Sequence, residues 1–344
     1  MDQLPNHLVL NIFSRLPIET LFQLKSVCKL WSQIIENPHF ANLQLEEGIK
    51  EPGLLLLANS LHKPNIFCKG DGNFLHISPN LYPFSFKYVF HENSCNGLLC
   101  FLGCLDEKKK IVFLCNPFRK EVLALPPSRR SPQGFRKYGL GFDNRTRTYK
   151  VVCVFKDEYN NNFGAEVYTL GSNSWREISL VTPFPEICLK AIFVGGFIYW
   201  VSFRDNNYLI SFDVGKEELS LVSCPEFRLF HLVDLGGVLG IVDCSSNACI
   251  EIWMMKDSEK RKNWVKEYRI DISSPSGFDC NIMVEILGLW KNGEVLLRHC
   301  QTFLCYNPNT KNLRYIHIPG LDDVIGVFGH TGSLVSLSWF EANL

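Results

Sequence analysis

The chain has 344 residues, 46% of them hydrophobic and 20% charged, so it is longer than one ordinary core holds and too apolar for a disordered polymer. Lys plus Arg and Asp plus Glu both number 35, a zero net charge that excludes a general binder of nucleic acid or membrane surface. Phe, at 26, far outnumbers Met, at 4, and aromatic enrichment favours sheet over helix.

No basic stretch leads into an apolar segment at the N-terminus, and no apolar run approaches the ~20 residues a membrane span needs. A soluble intracellular chain, cytoplasmic or nuclear, is therefore expected. Fourteen cysteines stand mostly alone on apolar segments, as at Cys100, Cys115, Cys153, Cys244 and Cys300, without a C-x-x-C pair or zinc spacing. They read as buried free thiols, with no metal and no cofactor expected.

Residues 1–45 carry helical periodicity. Leu4-Pro5 opens a first helix with Pro5 in the first turn, where its missing N–H costs nothing. Leu8 and Ile12 share one face of it, and Val9, Phe13 and Leu16 a neighbouring one. Pro17 ends this helix and begins a second with Leu21, Phe22 and Leu24. A third is predicted from Ser26 as N-cap, with Val27, Leu30, Trp31, Ile34 and Ile35 at helical spacing and Pro38 just past its end. Three short helices cannot bury so many large apolar side chains. The surplus face either docks another protein or packs on the rest of the chain.

The string Leu4-Pro5, Leu8, Ile12, Leu16-Pro17, Leu21, Val27-Cys28-Lys29, Trp31, Ile34-Ile35, Pro38, Phe40 resembles an F-box. The resemblance implies binding to a Skp1-type adaptor and, through it, a cullin-based SCF ubiquitin ligase. It carries over Leu4, Pro5, Leu8, Ile12, Leu16, Pro17, Val27 and Trp31 as adaptor contacts or the core that shapes them.

From about residue 53 to 344 the pattern changes to short alternating runs such as Val151–Phe155, Phe197–Val201 and Glu294–Arg298. No stretch of helical period is long enough for a crossover helix, which excludes a parallel α/β fold. Hairpin-type turns recur at Asn96-Gly97, Asp143-Asn144-Arg145, Gly195-Gly196, Gly236-Gly237, Asn292-Gly293 and Thr331-Gly332. A second set lies between them, and Cys115–Lys120 resembles Tyr306–Lys311. A period of roughly 40–50 residues marks four-stranded propeller blades, and six hairpin turns predict six. Too little chain follows Gly332 for a full blade, so strands near Leu54–Leu57 and Ile66–Cys68 are expected to complete it, sharing the closing blade between the chain ends. A pair of β-sandwiches is the structural alternative. The expected fold class is thus α + β and multidomain, a three-helix module followed by an all-β propeller.

This region also resembles the F-box-associated domain of plant F-box proteins. The resemblance rests on Ser94–Cys100, Asn116-Pro117 through Leu125-Pro126, Tyr138–Asp143, Tyr149–Val152, Val167-Tyr168 through Trp175-Arg176, and Ile252-Trp253 with Trp264. It implies capture of a protein target, which it does not identify.

No G-x-S-x-G, H-E-x-x-H or P-loop is present, and the nine histidines are dispersed; His231 and His299 are candidate site residues, but an ordinary packed or solvated histidine is the commoner case. No catalytic residue is assigned. The expected function is a non-enzymatic substrate receptor of an SCF-type ligase, with no nucleic acid or membrane as partner. The alternatives are a propeller enzyme with a helical cap, or an adaptor binder working outside a ligase. Longer connections, rich in Pro, aromatic and charged residues, are expected on one face of the β domain, where recognition usually lives. Arg129, Arg130, Phe184, Arg204, Phe227, Phe230 and Phe278 are the expected target contacts, partly exposed on that face.

Overall fold

The computed structural model describes residues 5–48, 53–60, 63–69, 74–77, 88–104, 110–128, 136–156, 163–178, 190–202, 208–246, 248–258, 261–272, 284–299, 302–316 and 324–343. Helices come first: α1 (Asn6–Ser14), α2 (Ile18–Leu24), α3 (Lys29–Ile35) and α4 (Pro38–Glu47). Pro17 is the N-cap of α2, where the sequence places the break between the first two helices; Pro5 is the N-cap of α1, one residue ahead of the first turn in which the sequence places it. Two details differ from expectation. Ser26 does not cap α3: its hydroxyl donates to the Gln23 carbonyl at 2.7 Å, and Cys28 is the N-cap. Pro38 does not merely follow α3 but opens a fourth helix at its N1 position. There Asn37 supplies the cap, its Oδ1 accepting the His39 N–H at 2.8 Å.

Among the described residues the strands follow in six four-stranded sheets. In chain order they are β1 (Gly53–Ser60), β2 (Lys63–Lys69) and β3 (Phe74–Ile77); β4 (Tyr88–Cys95), β5 (Leu98–Cys104), β6 (Lys110–Asn116) and β7 (Glu121–Ala124); β8 (Arg136–Asp143), β9 (Thr148–Lys156), β10 (Phe163–Thr169) and β11 (Arg176–Ile178). Next come β12 (Ile192–Val194), β13 (Phe197–Val201), β14 (Tyr208–Asp213) and β15 (Glu218–Ser223); β16 (Phe230–Asp234), β17 (Leu239–Asp243), β18 (Cys249–Ser258) and β19 (Arg261–Asp271); β20 (Val284–Leu289), β21 (Val295–His299), β22 (Thr302–Asn307) and β23 (Asn312–Ile316); and last β24 (Val324–His330). Five sheets keep chain order, β4 to β7 through β20 to β23. The sixth runs β24-β1-β2-β3, so one strand from the C-terminal end completes three from the N-terminal end.

The chain divides into two compact units. The first holds residues 1–132, 169–175 and 325–344, and therefore the helices together with β1–β7 and the C-terminal segment. The second holds residues 133–168 and 176–324.

Turn chemistry explains the strand ends. Asn96-Gly97, Gly195-Gly196, Gly236-Gly237 and Asn292-Gly293 all adopt positive φ at both residues, as tight hairpins require. Thr331-Gly332 is not such a turn. β24 ends at His330, and the chain runs on into a 3-10 helix at Leu337–Asn343. Gly332 serves a close approach instead: a Cβ there would lie 2.8 Å from the Cβ of Ile18. Four other turns share one device. Oδ1 of Asn116, Asp143, Asp213 and Asn307 accepts the backbone N–H groups two and three residues on, at 2.9–3.3 Å. The fourth residue on is left-handed each time: Lys120, Arg147, Glu217 and Lys311, at φ 56–62°.

In the second unit, Tyr138–Asp143 shows why its glycines alternate. A Cβ at Gly139 would meet Ile198 at 2.6 Å and Trp200 at 2.7 Å, and one at Gly141 would meet Val214 at 2.6 Å. The bare positions of β8 admit the large side chains of β13, and Trp200 and Ile198 are fully buried with Val152, Val154 and Phe212. Burial of each such side chain contributes roughly 1.5–3 kcal/mol.

Candidate protein-docking site

The helical module sorts its apolar residues into two sets. Val9, Phe13, Ile18, Leu21, Ile35, Phe40 and Ala41 form its core. Leu8, Ile12, Val27 and Leu30 remain 42%, 50%, 60% and 43% exposed. Leu8 and Ile12 lie one helical turn apart on α1, on the face next to the buried Val9 and Phe13. Pro5 is exposed at the N-cap of that helix. Trp31, half-buried on α3, sets its ring edge-on to Phe13 with centroids 5.1 Å apart. Leu16 and Pro17 are half-buried at the α1–α2 junction.

Of the eight positions that the sequence marks for docking, Pro5, Leu8, Ile12 and Val27 are thus bare, while Leu16 and Trp31 pack partly against the module's own core. Leu4 lies outside the described residues. Leu30 belongs with the bare set although the sequence treats it only as a periodic apolar position. Its neighbour Trp31 has the more conspicuous side chain and turns inward.

Several contacts hold the module from behind. The Arg119 guanidinium, at the β6–β7 turn, donates from Nη2 to Glu36 Oε2 at 2.6 Å and from Nε to Glu121 Oε1 at 2.9 Å. Glu36 caps the C-terminal end of α3 and also pairs with Lys25. Burial pushes the Glu36 carboxyl up, but the two cations outweigh it and hold the group below the usual carboxylate range. Phe118 stacks between Phe22 of α2 and His330, with centroids 6.2 and 6.0 Å away.

The second set of expected contacts fares differently. Phe227 and Phe230 are only 5% and 7% exposed, which corrects the expectation that they present themselves to a partner. They pack on each other and Phe227 on Trp253, at 5.6 and 5.8 Å, in a core with Val201, Leu239 and Ile241. The aromatic rings fill the space between sheets because leaving two Phe in water forfeits their burial energy. Arg129, Arg130, Phe184, Arg204 and Phe278 lie outside the described residues, as do most of the longer connections.

Chemistry is sparse among the described residues. No group of three His, Cys, Asp or Glu side chains is placed to hold a metal ion. His231 is a half-buried structural residue: its Nε2 accepts the Ile286 N–H at 3.1 Å, and desolvation of the ring lowers its pKa to about 4. His299 is also buried. All the described cysteines are free thiols, and only Cys28 is exposed.

Two family models match the sequence, the F-box domain over residues 1–43 and the F-box associated beta propeller domain over residues 55–336. One F-box protein of Arabidopsis thaliana is 27% identical, with 100% of this chain and 94% of the relative covered. A second from the same plant is 26% identical, over 94% of this chain and 87% of the relative. A weak likeness to TolB from Acinetobacter baumannii has a TM-score of 0.46 at 9% identity, covering 81% of this chain and 66% of that one.

Proposed function

Because the chain belongs to the F-box proteins with an F-box associated beta propeller domain, we propose that it is the substrate-recognition subunit of an SCF-type (Skp1–cullin–F-box) ubiquitin ligase. The helical module docks on a Skp1-type adaptor, and through it a cullin, while the β domain captures a protein target in the cytoplasm or nucleus. Bringing that target close to the transfer machinery is the contribution of this subunit, which itself supplies no reacting group.

The observation that supports this reading is the bare set Leu8, Ile12, Val27 and Leu30 on a module whose core is already filled. Side chains 42–60% exposed forgo about half of the roughly 1.5–3 kcal/mol that full burial of each is worth, and a partner that covers them together recovers it. The test uses the purified full chain and a purified Skp1-type adaptor. Ile12→Asp with Val27→Asp should weaken binding at least about thirtyfold, the effect of losing one interface anchor of about 2 kcal/mol, without moving the thermal midpoint. Undiminished binding by the double variant refutes the docking face.

Target capture is assigned to the longer connections, with Arg129, Arg130, Phe184, Arg204 and Phe278 as contacts. Arg129→Glu with Arg130→Glu should abolish target turnover in cells while adaptor binding persists. Unchanged turnover rules those two residues out.

A further inference from the structure

We propose that the docking module is completed from outside its own sequence: the C-terminal segment Thr331–Trp339, clamped by the β6–β7 turn, holds the helices in their adaptor-binding arrangement. Gly332, Leu334 and Arg119 are then positioning residues for a partner they do not touch. This rests on the reading of the helical face as an adaptor-docking site.

Leu334 is buried in the same core as Val9, Phe13 and Ile18, although more than 300 residues separate it from them. Gly332 lies where any side chain would strike Ile18. A module of four short helices has little core of its own, so one inserted leucine is a large share of what orders it.

The segment is itself held. Asn116 Nδ2, fully buried, donates to the carbonyls of Ser333 and Val335 at 3.1 and 2.7 Å. The Glu121 carboxylate accepts the Leu337 N–H at 2.6 Å and the Ser336 hydroxyl at 2.9 Å. Arg119 joins the parts. It reaches Glu36 at the end of α3, Glu121 beside the segment and, at 3.4 Å, the Leu334 carbonyl. α3 carries Leu30 and Trp31, so the same guanidinium that grips the segment fixes the helix that presents part of the docking face.

A docking face that is ordered only part of the time binds with its intrinsic affinity reduced by that fraction. Three full-length variants test this, with the purified Skp1-type adaptor as probe and Ile12→Asp as the docking-face control. Leu334→Ala and Gly332→Val should each weaken adaptor binding at least about tenfold through that reduced fraction. Arg119→Glu should do the same, and Arg119→Lys should restore part of the affinity. Hydrogen exchange supplies a readout independent of binding. Amides of α1–α3 should lose protection in Leu334→Ala, while those of β8–β23 keep theirs. Should the β strands lose protection too, the milder Leu334→Val decides by the same comparison. Wild-type affinity together with wild-type helix protection in the Leu334 variant overturns the proposal. If the unaltered chain does not bind the adaptor, the docking reading fails on its own. Exchange in α1–α3 then decides whether the segment orders the helices: unchanged protection refutes that, and lost protection upholds it.

Discussion

Lys150 is the most completely enclosed cation among the described residues, and replacing it with methionine separates charge from packing. Its ammonium donates to Asp143 Oδ2 at 3.0 Å, to Glu217 Oε1 at 3.0 Å and to the Val214 carbonyl at 2.9 Å, which uses all three N–H groups. Asp143 is buried and has a pKa of about 2. Burial raises it, but the Thr146 and Lys150 side chains and the Arg145 and Thr146 N–H groups outweigh that effect. Relative to an unfolded value of about 3.9, the shift is worth on the order of 2 kcal/mol. Because the folded pKa is the lower one, this stabilisation is fully present above about pH 4 and is lost as pH falls towards 2. Lys150→Met keeps the volume and strands the buried Asp143 carboxylate, while Glu217 retains Arg176. A loss of about 3 kcal/mol at pH 7 follows, or a midpoint roughly 6–12 °C lower in a unit of this size. Thermal unfolding followed by circular dichroism at pH 7 and pH 3 measures it, and the penalty should shrink at the lower pH as Asp143 protonates. An unchanged midpoint at pH 7, or a penalty that grows on acidification, would refute the electrostatic account.

Two turn glycines separate backbone strain from steric conflict. Gly97→Ala combines φ of +77° with a Cβ directed into the Thr331 carbonyl and should cost at least about 2 kcal/mol, whereas Gly195→Ala, at φ +60° in open space, should cost about 1 kcal/mol; equal losses in chemical denaturation contradict the contact. Thiol accessibility gives an independent map of burial. Cys28 should react with a maleimide under native conditions, while Cys100, Cys115, Cys153 and Cys305 react only on unfolding; native labelling of Cys115 at the Cys28 rate would contradict the packing of β6.

What the sequence discloses here is local. Apolar spacing in residues 5–35 and paired Gly or Asn-Gly turns act within a few residues, so helices and hairpins follow from them. Asn37-Pro38 carried a start signal as well as a stop, since asparagine caps and proline fits the first helical turn, and reading only the stop misses α4. Phe227 and Phe230 could not be placed from their own segment, because the ring that buries Phe227 is Trp253, on a strand two further along. The clamp on the helices was nearly visible. The two similar phrases, Asn116–Lys120 and Asn307–Lys311, fold alike but differ at the middle positions, where Phe118-Arg119 replaces Asn309-Thr310. The turn needs neither Phe nor Arg, and those two residues are the ones that reach Phe22 and Glu36.

The sheet that joins β24 to β1–β3 has a consequence for how the chain is made. β1 leaves the ribosome roughly 260 residues before β24, the strand that covers its free side. At about 5–20 residues per second the interval is roughly ten seconds to a minute. For that time β1 offers unpaired backbone donors and acceptors to any passing strand. The nascent protein is therefore exposed to wrong pairing at β1, and a ribosome that stalls before Val324 releases a product in which that sheet cannot be finished.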